Sequence, residues 1–183
     1  MKNTSASLLT LCLLLTVSSA CTQTSTKLNA DPAVTASAVH TQALVLDAHA
    51  DVLMPGVARM YVAADGSSKV SPDKLQAGGV DAVVMSIAVG PGPRNAEGDA
   101  QARVIADQKL AAITALAEAP ENNMVIARSA DELVTAHKNG KTALIMGFLN
   151  ARIIGTELSG LDDFYTAGVR VFALTHLGHN NFA

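Results

Sequence analysis

Short apolar runs alternate with longer amphipathic stretches along most of this chain. Four runs rich in Val, Leu, Ile and Ala predict strands, namely Leu44 to His49, Val80 to Val89, Thr142 to Phe148 and Val169 to Thr175. Because such runs lack polar alternation, they favour strands buried on both faces, as in a parallel sheet. Residues 124–127 predict a shorter additional strand. The alternation of strands with helical stretches indicates an α/β fold.

Capping residues mark the ends of the predicted helices. Ser71 followed by Pro72 is typical of the start of a short helix. Ser129 and Glu132 have the spacing of a capping box, in which side chains satisfy free amides of the first turn. Helices are therefore predicted from 71 to about 77, over 99–119, from 129 to about 139, and over 157–167.

The longest predicted helix has one apolar stripe at helical spacing. The stripe comprises Ile105, Ala112, Ile113 and Leu116. Gln108 and Lys109 interrupt it for one turn. A stripe of this kind predicts that the helix packs on the sheet.

Polar side chains follow three of the predicted strands. His49 and Asp51 are two residues apart, so on a strand they point the same way. Asn150 follows the third strand and His176 the fourth. In a barrel of alternating strands and helices, strand ends meet at one rim where catalytic residues collect. An imidazole beside a carboxylate makes half of a divalent-metal site, so His49 and Asp51 are candidate metal ligands.

Each candidate also has a purely structural interpretation. His49 and Asp51 could be a capped turn or a surface pair, and Asp47 could cap that turn or support a metal ligand. His176 could donate a hydrogen bond to a substrate carbonyl or its oxyanion, or could bond a neighbouring backbone carbonyl. His179 and Asn180 are interpreted as turn residues.

The composition indicates which residue types form the core, and the charge pattern argues against some classes of partner. Hydrophobic residues make up 49% of the 183 residues but aromatics only 3%, which favours an aliphatic core of helices on a parallel sheet. The net charge is −3 with acids and bases interspersed, and no basic block predicts nucleic-acid binding. Neither G-x-G-x-x-G nor a P-loop sequence occurs.

The first residues have the features of an export signal. A positively charged start precedes an apolar stretch over 7–17 that is too short to span a bilayer. Small residues then lead to Cys21, which predicts a signal peptide over 1–20. The context is similar to a bacterial lipobox and predicts lipidation of Cys21 as first mature residue; ordinary cleavage near Ala20 is the alternative. The expected location is the bacterial periplasm or cell envelope, with 21–40 as a flexible tether.

Four blocks in order resemble the membrane (renal-type) dipeptidases, peptidase family M19, among the metal-dependent hydrolase barrels. The blocks are Asp47–Asp51 (DAHAD), Leu75–Val80 (LQAGGV), Gly140–Phe148 (GKTALIMGF) and Gly168–His176 (GVRVFALTH). The resemblance implies a TIM-like barrel with a binuclear zinc site, at which metal-bound hydroxide hydrolyses dipeptides. It implies that His49 and Asp51 bind the first zinc and that His176 contacts the substrate.

The chain also departs from the family's pattern. Leu149 stands where the family has a bridging glutamate, and some bacterial relatives have a Gln there. The family's second-metal ligands lie on later strands, so residues 41–183 are expected to form about four of eight β/α units, an incomplete TIM-like barrel. Four strands cannot close an eight-stranded barrel. We therefore expect at most a partial zinc site, and a chain that is marginally folded and inactive alone, with a second copy or a missing C-terminal half as partner.

Two other functions are consistent with the sequence. One is a non-catalytic lipoprotein, a degenerate relative that retains the half-barrel for binding. The other is an amidohydrolase that acts on N-acyl amino acids or cyclic amides.

Overall fold

Five parallel strands form one sheet in the computed structural model, which describes residues 32–54 and 59–183. The strands are β1 (Leu46–Asp51), β2 (Ala82–Ala88), β3 (Met124–Ile126), β4 (Thr142–Leu149) and β5 (Val169–Ala173). The helices are α1 (Pro32–Gln42), α2 (Pro72–Ala77), α3 (Ala96–Glu118), α4 (Ala130–Lys138) and α5 (Gly160–Ala167). The predicted α/β fold and the short additional strand are therefore confirmed.

Apart from β3, the strands follow one another across the sheet in chain order. β1 pairs with β2, β2 with β4, and β4 with β5, all in parallel. β3 pairs with residues 142–144 of β4 and β5 with residues 146–149, so these two strands lie end to end along the same edge. Within the described residues β1 has only β2 as a partner, and the sheet does not close. This is the arrangement of an incomplete β/α barrel.

The main core lies between one face of the sheet and helices α3 and α5. Met85 of β2 and Phe148 of β4 are almost fully buried there, with Ile113 of α3 and Phe164 of α5. The Phe148 ring meets the Phe164 ring edge-on at 6.0 Å between centroids. Burial of each such side chain is worth roughly 1.5–3 kcal/mol, so this face fixes the strands that carry the candidate site.

The expectation that the first strand is buried on both faces is wrong. Leu44 and Leu46 are 38% and 46% exposed, and Ala50 is the buried residue of β1. β1 is an edge strand, with a neighbour on one side only. An apolar run therefore does not produce burial where nothing covers the strand.

Four details of the helices differ from the predictions. α3 begins at Ala96 because the Asn95 side chain accepts the Gly98 N–H at 2.8 Å. Ile105 is 36% exposed and lies off the buried stripe of α3. Ser71 precedes α2, but its side chain makes no capping hydrogen bond. α5 begins at Gly160, three residues later than expected.

Only the end of the predicted N-terminal segments lies within the described residues. α1 covers 32–42, so the end of the range predicted as a flexible tether, 21–40, is helical. The predicted signal peptide over 1–20 and the predicted lipidation site Cys21 lie outside the described residues. Over residues 32–54 and 59–183, no helix has both the length and the apolar character that a membrane crossing requires.

Candidate functional site

A cavity of about 320 Å³ lies where β1, β2 and β4 end. His49, Asp51 and His176 line it together, as predicted, whereas Asn150, the fourth polar residue predicted at this rim, is not among the lining residues. Leu149 contributes an apolar side chain to the same wall. The remaining lining residues are Val52, Tyr61, Ala88, Val89, Gly90 and Lys109.

His49 and Asp51 lie side by side at the end of β1, as their spacing predicts. His49 Nε2 is 3.8 Å from Asp51 Oδ2, and the two side chains are 51% and 18% exposed. The pairing of β1 with β2 shifts between Asp47 and Ala50, which marks a bulge at this point. Asp47 Oδ1 accepts the His49 N–H at 3.0 Å, so Asp47 does cap this turn.

Asn150 joins the ends of three strands and helps to place His176. It is 1% exposed, and its Nδ2 donates to the Val89 carbonyl at 3.2 Å and to the His176 carbonyl at 3.4 Å. Its backbone has a positive φ of 88°, in the left-handed region that Asn adopts more readily than most residues. The polar residue predicted after the third strand is therefore structural, and the His176 side chain lies half-buried at the rim.

Asn180 is the partner of Asn150 in a buried amide pair. Its Nδ2 donates to Asn150 Oδ1 at 3.0 Å and to the Leu174 carbonyl at 2.7 Å. Its Oδ1 accepts the N–H groups of Phe182 and Ala183, as the interpretation of a turn residue requires. The sequence did not reveal the pairing because the two residues are distant along the chain.

Lys109 is a cavity residue to which sequence reasoning gave no role. It lies half-buried on α3. Partial burial lowers the pKa of Lys109, and the charge of Asp51 opposes that effect. The interruption of the apolar stripe at 108–109 was the available clue, since a lysine on the packed side of a helix needs a polar neighbour.

The described residues supply only part of a zinc site. A catalytic zinc ordinarily has three protein ligands among His, Cys, Asp and Glu, with water in the fourth position. In the described part of the chain, no three such side chains are grouped to hold a metal. His49 and Asp51 are suitable donors, whereas Leu149 is apolar and Lys109 is cationic. The buried Ser86 hydroxyl, opposite Asp51 on β2, has no hydrogen-bond partner, but a hydroxyl is not a usual zinc ligand. These residues therefore do not fit a complete zinc centre.

The strand order and the polar strand ends define part of a TIM-type β/α barrel. The chain belongs to the membrane dipeptidase family, peptidase family M19, whose family model matches residues 34–183. No curated protein matches the chain.

Three solved structures share the fold. The probable dipeptidase PvdM from Pseudomonas aeruginosa is 24% identical with a TM-score of 0.67, covering 80% of this chain and 38% of that one. Dipeptidase AC, a metallopeptidase, is 24% identical with a TM-score of 0.60, and the match covers 72% of this chain and 42% of that one. A metallopeptidase from Rhodobacter sphaeroides, liganded with a phosphinate mimic of the dipeptide L-Ala-D-Ala, is 21% identical with a TM-score of 0.59, covering 75% and 48%. The chain therefore spans less than half the length of each, and the likeness concerns the fold.

Proposed function

We propose that this chain supplies the first-metal part of a zinc-dependent dipeptidase site. In this proposal His49 and Asp51 bind zinc, and His176 contacts the dipeptide. The observation that carries it is that these three side chains line one cavity at the strand ends. Membership of the membrane dipeptidase family supports the same assignment.

The separation of the two donors supports a shared ion. Two ligand atoms about 2.1 Å from a tetrahedral zinc lie roughly 3.4 Å apart. His49 Nε2 and Asp51 Oδ2 are 3.8 Å apart, so a small side-chain rotation brings them to that separation. The exposure of His49 leaves its imidazole accessible to an ion from solution.

Zinc titration of the full chain by calorimetry tests the metal ligands. We expect His49→Ala and Asp51→Asn each to weaken zinc binding at least tenfold, since two donors share the ion. His179→Ala is the matched control, because His179 is exposed and does not line the cavity. Equal zinc affinity in all four proteins would contradict the proposal. His176→Ala should leave zinc affinity unchanged but weaken binding of a dipeptide to the zinc-loaded chain.

A non-catalytic role is the second candidate, and Leu149 favours it. This side chain lines the cavity at the position where the resemblance led us to expect a metal-bridging glutamate. Hydrolysis of a dipeptide panel in the presence of zinc discriminates the two functions, with N-acetyl amino acids as a third substrate class. Release of amino acids would favour the dipeptidase role, whereas dipeptide binding without release of amino acids would favour the non-catalytic role.

We also propose export and anchoring through a lipid on Cys21. The lipobox-like context in the sequence supports this part of the proposal. Incorporation of labelled palmitate during bacterial expression is the test, and Cys21→Ser should abolish it. Incorporation that persists in Cys21→Ser would contradict the assignment.

A further inference from the structure

The described lining of the cavity at the strand ends includes one carboxylic acid and one lysine. Among the described residues that line it, Asp51 is the only Asp or Glu and Lys109 is the only Lys or Arg. His49, His176 and Tyr61 are the other polar side chains of the wall. With the histidines neutral, the charges of the lining residues sum to zero.

Lys109 is half-buried on α3, and among the residues that the structure describes it makes no hydrogen bond or ion pair with another side chain. A half-buried ammonium is disfavoured unless a negative charge lies near it. Asp51 is the acid that lines the same cavity, and its charge favours the ammonium form of Lys109.

We infer that Lys109 is the built-in counter-ion of Asp51 and that it opposes binding of a divalent cation at His49 and Asp51. This inference rests on the proposed metal role of that pair. A cation that binds Asp51 must do so beside an existing positive charge, since the described cavity has no second acid. Coulomb repulsion between the two cations weakens metal binding across several ångströms in a partly buried site.

Zinc titration of Lys109→Met in the full chain tests the inference. Methionine retains most of the side-chain length and removes the charge, so we expect about tenfold tighter zinc binding than in the wild-type chain. Lys138→Met makes the same change of net charge on exposed Lys138 of α4 and should bind zinc within twofold of wild type. Lys109→Arg retains the charge and should also resemble wild type.

The Asp51→Asn variant separates failure of the inference from failure of the proposed function. In an Asp51→Asn background, Lys109→Met should still tighten the zinc binding that remains at His49, because the repulsion acts on the ion itself. Equal zinc affinity in wild type and Lys109→Met would overturn the counter-ion role, while a loss in Asp51→Asn would leave the proposed function intact. No loss in Asp51→Asn would overturn both. If Lys109→Met does not give the wild-type circular dichroism spectrum, Lys109→Gln serves for the same comparisons.

Discussion

His137 Nδ1 lies 2.8 Å from Asp81 Oδ1, in a hydrogen bond that joins α4 to the start of β2. The other oxygen of Asp81 accepts the Val45 N–H at 2.8 Å, just before β1. One carboxylate therefore connects the edge strand, its neighbour and a helix. Partial burial raises the pKa of Asp81, but the hydrogen bonds from Val45 and His137 and the charges of His137 and His40 outweigh it. The net pKa of Asp81 is lower than its ordinary value.

Asp81→Asn should destabilise the chain in a pH-dependent way. A depressed carboxyl pKa stabilises the folded state above the unfolded-state pKa of about 4, and this contribution is lost as pH falls through the folded-state pKa. We expect the free energy of unfolding to fall by about 1.5–3 kcal/mol at pH 7, with a smaller difference from wild type below about pH 4. Urea unfolding at several pH values measures this.

Glu157→Gln is the control for Asp81→Asn, because it removes an exposed carboxylate with no ion pair among the described residues. Its unfolding free energy should stay within about 0.5 kcal/mol of wild type. If Asp81→Asn is as stable as wild type at pH 7, the hydrogen bonds of Asp81 contribute nothing to the free energy of unfolding.

Gly98→Ala should destabilise the chain although Gly98 lies in a helix. Alanine ordinarily stabilises a helix by about 1 kcal/mol relative to glycine. A Cβ here would clash with the Pro93 carbonyl oxygen and would lie 2.6 Å from Arg152 Nη2. Arg152 is 7% exposed and donates to that same carbonyl at 2.9 Å, so neither group can withdraw easily. We expect a loss of about 1–3 kcal/mol by urea unfolding.

Gly90→Ala is the matched control for Gly98→Ala. A Cβ at Gly90 meets nothing within 4 Å, so the stability should change little. Stabilisation by Gly98→Ala would mean that the loop before α3 relaxes without cost.

Ser129→Ala should weaken the start of α4. Ser129 Oγ accepts the Glu132 N–H at 3.2 Å, and Glu132 Oε2 accepts the Arg128 N–H at 2.5 Å. The loss of this cap should cost about 1 kcal/mol in thermal or urea unfolding. Ser159 precedes α5 without a side-chain cap bond, so Ser159→Ala should be nearly neutral. Equal effects of the two substitutions would contradict the capping role.

Leu149→Glu should strengthen zinc binding at the cavity. The new carboxylate would join the wall that His49 and Asp51 line, and a third donor should tighten binding at least tenfold. Because zinc then stabilises the folded state, Tm should rise with zinc concentration more than in wild type. Leu174→Glu adds the same charge at an exposed residue outside the cavity and should show no such rise. Identical zinc responses of Leu149→Glu and Leu174→Glu would mean that a side chain at residue 149 cannot reach the metal.

Local patterns predicted the parts of the fold that local chemistry determines. The mainly apolar runs of β2 and β4 are buried because both strands have neighbours on each side. The spacing of His49 and Asp51 placed them together because alternation along a strand is a property of the backbone. The Ser129 cap could be predicted because its signal, Ser129 followed by Glu132, lies within four consecutive residues.

Contacts between residues that are far apart in the chain could not be predicted from local sequence patterns. Asp81 and His137 are 56 residues apart, and neither has a local feature that indicates the other. The exposure of Leu46 depends on what lies beside β1, which the apolar character of the strand does not encode. Lys109 interrupts the apolar stripe of α3, but its place in the same cavity as Asp51 depends on how α3 packs on the sheet.

The end-to-end placement of β3 and β5 on one edge of β4 also limits how β5 can move. Val169 is the first residue of β5 and lies opposite Met146. A slip of two residues toward the start of β4 would bring Val169 opposite Leu144, a place that Ile126 already occupies. β3 therefore blocks sliding of β5 in this direction. It keeps the segment that carries His176 at the same end of the sheet as the end of β1.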